Sequence, residues 1–139
     1  MKLRLADIAH ARSGDKADRA DIGLFAWDEA GYAALLSLVT PQRVADHFAH
    51  LMGSNDPAHV ECYPLPHILA IKWVLNGALS GGAAHSLRSD NLGKTIAAQL
   101  LRMEIEMAET QATAILNGAR IGIESLRGAN PPHSQTAPP

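Results

Sequence analysis

Ser13, Gly14, Asp15 and Lys16, with Arg12 before them and Asp18, Arg19 and Asp21 after, crowd cations and carboxylates into residues 11–23. Ser13 and backbone N–H groups near Gly14 are suited to a carboxylate or phosphate, with Lys16 neutralising its charge and Asp15 orienting Lys16 or accepting a proton. The chemistry is that of an anion or polar-ligand cradle. A plainer reading stands beside it, in which Asp15 and Asp21 satisfy the N–H groups of a turning backbone and the cations face water. His10 precedes this stretch and His85 precedes a second one. An imidazole there titrates near neutral pH and can act as acid or base, or serve only as a hydrogen-bonded structural group.

The second group is Gly81, Gly82, Ser86, Arg88, Asp90, Gly93, Lys94 and Thr95, ending at the start of an expected helix. Free N–H groups and the helix dipole favour an anion there, a CoA or other phosphate. A helix cap with an Asp90–Arg88 pair explains the same residues equally well. Gly93-Lys94-Thr95 is not a P-loop, because Arg88 stands where that motif needs its first glycine. His47 and His50, with Asp46 nearby, fall short of the three or four convergent ligands zinc requires, so no metal and no cofactor is expected. Cys62 has Glu61 rather than a cation beside it and reads as core, not nucleophile. Trp27, Trp73 and Tyr63 read as packing residues.

Periodicity assigns these groups to strands, helices and connections. Leu3–His10 alternates as a half-buried strand, and Ile22–Trp27 reads as a second, with the charged stretch projecting between them as a loop. Asp28 caps a helix over Glu29–Val39, and Thr40-Pro41 starts another, with Val44, Phe48 and Leu51 on one face, ending at Met52-Gly53. Ser54–Pro57 is a loop, and His59–Tyr63 is a strand interrupted by Pro64 and Pro66. Ile68–Leu75 fits helix or buried strand, and Pro66 at a first helical turn tips it to helix. Gly77, Gly81 and Gly82 connect to a short edge strand at His85–Arg88. Asp90 or Asn91 caps a helix over Leu92–Ala108 with Ile96, Leu100, Met103 and Met107 as its apolar stripe. Ala112–Leu126 holds a helix broken at Gly118 and Gly122, and Gly128–Pro139 reads as a disordered tail.

The chain has 139 residues, enough for one domain with a real core. One cysteine allows no internal disulfide, and Met1-Lys2-Leu3-Arg4 lacks the apolar run of a secretory signal, which points to the cytoplasm. No stretch approaches the roughly 18 apolar residues that span a bilayer. A formal charge of −2 and 4% aromatic residues argue against nucleic acid.

The string Ala11-Arg12-Ser13-Gly14-Asp15-Lys16, then Asp21-Ile22-Gly23, Asn76-Gly77-Ala78-Leu79, Gly81-Gly82, Ser86-Leu87-Arg88, Asp90 and Gly93-Lys94-Thr95, resembles the small ferredoxin-fold domain of AtuA-like (acyclic terpene utilisation) proteins over roughly residues 3–107. Ala17 and Ser80 stand where that pattern has glycine, and Asp21 and Lys72 where it has asparagine. The resemblance implies an α+β, ferredoxin-like antiparallel sheet with helices on one face, permuted or elaborated because two strands precede the first helix. It divides the chain into a domain over 1–108, a helical extension over 109–127 and a tail over 128–139. It also implies an accessory or half-site subunit in acyl-CoA, terpenoid or branched-chain acid catabolism. Such a subunit would form a homo-oligomer or a complex with a larger AtuA-like subunit and take a CoA thioester or small carboxylate. The alternative is an independent lyase or hydratase-like enzyme acting on a short acid or CoA thioester. The ligand-binding candidates are Arg12, Ser13, Gly14, Asp15, Lys16, Asp21, Gly81, Gly82, Ser86, Arg88 and Lys94, and the catalytic candidates Asp15, Lys16 and His10.

Overall fold

The computed structural model describes residues 1–16, 19–78 and 89–129, without the side chains of 15, 16, 89–94 and 129. Its sheet is four-stranded and antiparallel, built from β2 (Ala9–Lys16), β3 (Arg19–Ala26), β4 (Val60–Leu65) and β5 (Ala70–Leu75) in the spatial order β2-β3-β5-β4. A plain βαββαβ chain supplies the strand beside its first one last. Here that strand comes first, as β2, so the ferredoxin-like sheet is permuted. Between β3 and β4 lie α1 (Glu29–Leu38), α2 (Pro41–His47) and α3 (Ala49–Met52). After β5 come α4 (Ser89–Leu101), β6 (Glu104–Glu106) and α5 (Glu109–Ala129). Near the N-terminus β1 (Lys2–Arg4) pairs antiparallel with β6, Leu3 opposite Ile105.

One face of the sheet makes the core. Ala20, Ile22, Leu24 and Ala26 of β3 are buried beside Ile71, Trp73 and Leu75 of β5, and α4 packs across β2 and β3. Ile96 and Leu100 of α4, Leu35 of α1 and Val44 and Phe48 around α2 complete that layer. Burying such side chains contributes roughly 1.5–3 kcal/mol each. Helix starts follow their caps: Asp28 accepts from the N–H of Gly31 at 2.8 Å and Thr40 from that of Arg43 at 3.2 Å. No helix among the described residues is long and apolar enough to cross a membrane.

Several expectations need correcting. Residues 11–16 and 19–23 are not a loop: they pair as a ladder from Ala9 opposite Ala26 to Lys16 opposite Arg19. Leu3–His10 is not one strand either, since a 3-10 turn at Leu5–Asp7 separates β1 from β2. Ile68–Leu75 is not helical. Pro66 does open a turn, a 3-10 turn over Pro66–Ile68, but Leu69 adopts a left-handed φ of 54° and the chain leaves as β5. The expected helix over Leu92–Ala108 ends at Leu101, and Asp90 and Asn91 lie within its first turn rather than ahead of it. Met103, Ile105 and Met107 then alternate with exposed Glu104 and Glu106 across β6. The helix after Thr40 is two pieces that meet at Phe48. β4 runs through Pro64, which an edge strand tolerates. α5 is unbroken by Gly118 and Gly122 and continues through Gly128 and Ala129, whereas the expected edge strand at His85–Arg88 and residues 130–139 lie outside the described residues.

The two glycines in α5 have a packing cause. A Cβ at Gly118 would sit 2.0 Å from Asp28 Oδ2, and one at Gly122 would sit 2.7 Å from the Trp27 ring. Only a bare backbone lets α5 come this close to the segment between β3 and α1.

Candidate functional site on the open sheet face

Strand side chains alternate between faces, so packing every helix of the core layer on one side leaves the other open. On β3, Asp21, Gly23 and Phe25 take the open positions; the register sets Gly14 beside Asp21, Arg12 beside Gly23 and His10 beside Phe25. β5 adds Val74, Lys72 and Ala70 to the same rows, and β4 adds Glu61, Tyr63 and Leu65. Arg19 and Asn76 sit at one end of this surface.

A depression of about 650 Å³ lies over this face, lined by Gly14, Arg19, Asp21, Glu61, Tyr63 and Lys72 among others. Glu61 organises its rim. One carboxylate oxygen accepts a short hydrogen bond from the Tyr63 hydroxyl, and the other accepts from Asn76 Nδ2 at 2.9 Å. The Tyr63 bond, then the Asn76 bond, hold the Glu61 carboxyl below the usual carboxylate range, and the Arg19 charge adds to them. The same bond to Glu61 pushes the Tyr63 hydroxyl up. At neutral pH Glu61 is therefore an anion and Tyr63 keeps its proton. Lys72 Nζ lies 3.8 Å from Asp21 Oδ2, an ion pair between β5 and β3 on this face.

At the other end His10 stacks on Phe25, with ring centroids 5.1 Å apart and planes 16° apart, and tilts against Trp27 at 4.7 Å. Burial between these rings lowers the imidazole pKa. His10 belongs to an aromatic stack, which in turn rests under α5 through Gly122.

The sequence candidates divide along the strand alternation. Arg12, Gly14, Asp21 and His10 meet on the open face. Ser13 does not: its Oγ accepts from the N–H of Ala97 in α4 at 3.1 Å, on the core side. Asp15 and Lys16 are described only by backbone register, opposite Ala20 and Arg19, and that backbone is extended, not the sharp turn expected there. Gly81, Gly82, Ser86 and Arg88 lie outside the described residues, and Lys94 contributes only helical backbone within α4. His47 Nε2 donates to the Gln99 carbonyl at 2.6 Å, and no group of metal-binding side chains occurs among the described residues. Cys62 packs against the core, and burial raises its thiol pKa.

Arg19, Glu61, Lys72 and Asn76, which meet on this face, were not among the ligand-binding candidates of the sequence. Sequence reasoning also placed Tyr63 in packing, although it is 46% exposed. The alternation of Glu61, Tyr63 and Leu65 was a local signal, but only the pairing register shows that their row meets Asp21 and Arg12. The surface suits binding and orientation of a polar ligand.

Neither the curated proteins nor the solved structures yield a match to this chain. Residues 3–106, from β1 to the end of β6, match the family model for the AtuA ferredoxin-like domain, and the chain belongs to that family.

Proposed function

We propose that the chain is an accessory, half-site subunit that presents its open sheet face to a larger AtuA-like subunit, supplying polar groups to a shared site for an acyl-CoA or related small acid in terpenoid or branched-chain acid catabolism. The carrying observation is the asymmetry of the sheet: one face is covered by α1, α2 and α4, while the other holds Arg19, Asp21, Glu61, Tyr63 and Lys72 around an open depression, with Arg12 beside a smaller one that shares Gly14 and Asp21. The apolar margin of this face, with Leu65 41% and Ile68 59% exposed, supports a covered state in the working assembly. The state of its groups supports the accessory reading over an independent lyase. Glu61 is committed to Tyr63 and Asn76, Asp21 pairs with Lys72, and Tyr63 holds its proton, so these groups orient a ligand better than they transfer protons.

The test is co-expression with a larger AtuA-like protein encoded beside it, followed by native mass spectrometry and hydrogen exchange. The expected result is a complex in which exchange slows along β2 and β4, the two sheet edges, and at the 3-10 turn over Pro66–Ile68. Absence of a complex, or slowing confined to α5, overturns the reading.

A further inference from the structure

We infer that the trough floored by Gly14 and Gly23 on the open face binds an aliphatic carboxylate, with its head at Arg12 and its tail running to Leu65 and Ile68. This deepens the half-site reading above, and rests on it, by naming the ligand class.

The trough exists because two adjacent rows lack a side chain. A Cβ at Gly14 would come within 3.1 Å of Asp21 Oδ1, and one at Gly23 within 3.0 Å of the Phe25 ring. With bare backbone at both places, Asp21 and Phe25 lean inward and two depressions form. One, of about 280 Å³, is bordered by Arg12, Gly14 and Phe25. The other, of about 200 Å³, is bordered by Phe25, Leu65 and Ile68. Both include Asp21, Gly23 and Phe25, so they run into one another.

The two ends differ in chemistry. Arg12 has no hydrogen-bond or ion-pair partner among the described residues, and Asp21, which borders the same depression, is paired with Lys72. Among the described residues nothing compensates this guanidinium, whose fork suits a carboxylate. The far end offers Phe25, Leu65, Ile68 and Ala70, and the charges that border it, Lys72 and Asp21, are paired with one another. With strands about 4.8 Å apart and about 3.3 Å per residue, Gly23 and Leu65 are about 12 Å apart, a gap that an extended acid of roughly eight carbons fills once the Arg12 and Leu65 side chains reach in from either end.

The experiment is a nitrogen-15 NMR titration of the full chain with octanoate, butyrate and 1-octanol, repeated on Arg12→Gln and Leu65→Ser. Octanoate is expected to saturate, shifting amides at Arg12, Gly14, Gly23 and Leu65, and to bind at least about ten-fold tighter than butyrate, since each buried methylene adds affinity. Arg12→Gln is expected to weaken octanoate about ten-fold, the effect of losing a charged hydrogen bond. Leu65→Ser should weaken octanoate but not butyrate. Lack of saturation by millimolar octanoate, equal binding of 1-octanol, or indifference to Arg12→Gln overturns the inference. Circular dichroism confirms that both exposed-site variants fold. Complex formation with the larger subunit is scored separately, so a complex that forms while octanoate fails removes the ligand and leaves the docking.

Discussion

The Asp28 carboxylate that caps α1 lies directly against the backbone of α5 at Gly118, leaving no room for a methyl group there. One acid thus serves as the start of one helix and the seat of another.

Gly118→Ala is consequently expected to destabilise the protein although alanine favours helix. The propensity gain of about 1 kcal/mol is offset by loss of the cap, worth about 1 kcal/mol, and α5 must then also move off α1. Thermal denaturation should show a lower Tm than wild type. In Asp28→Ala the obstacle is gone, so adding Gly118→Ala should then stabilise. A double-mutant cycle reads that change of sign as a coupling energy.

Ser13→Ala separates structure from site. The hydroxyl receives the Ala97 N–H on the core side, and its loss should cost about 0.5–1.5 kcal/mol in urea unfolding. Octanoate affinity should not change. Arg12→Gln is expected to do the reverse, leaving stability within about 0.5 kcal/mol because the guanidinium is on the surface.

His10 gives a pH dependence with a defined sign. Its folded pKa is lowered, so as pH falls below about 6.5 the unfolded chain takes up a proton before the folded chain does. Stability from this group is present above the ordinary imidazole value and is lost as pH falls towards the folded value. His10→Phe keeps an aromatic ring in the stack but does not titrate. The stability difference between His10→Phe and wild type should grow as pH drops from 7 to 5, measured by chemical unfolding; a constant difference would show that the stack does not perturb the imidazole.

The sequence made the helices at Asp28 and Thr40 legible through their caps, and the strands at either end of the charged stretch through alternation. The stretch itself looked like a loop because one face of its ladder is uncovered: Arg12, Gly14, Asp21 and Gly23 need not be apolar where nothing packs on them. Met103 and Met107 share a face in a helix and equally in a strand, since a spacing of four satisfies both periods, and the chain uses the second. Pro66 marked a real turn, but Leu69 then redirects the backbone into a strand instead of a helix. Of the candidate site, the β2 and β3 share was visible. The share from β4 and β5 was not, because it depends on which strand lies beside which.

The β1–β6 ribbon bears on how the molecule is made. Leu3 pairs with Ile105, and the terminal ammonium donates to the Met107 carbonyl at 2.7 Å, joining ends of the domain that are about a hundred residues apart. During synthesis the first strand has no partner until nearly the whole domain has left the ribosome, so closure is a late, entropically costly event. Until then the apolar side chain of Leu3 stays uncovered, and the growing chain depends on its hairpins and capped helices to stay in solution.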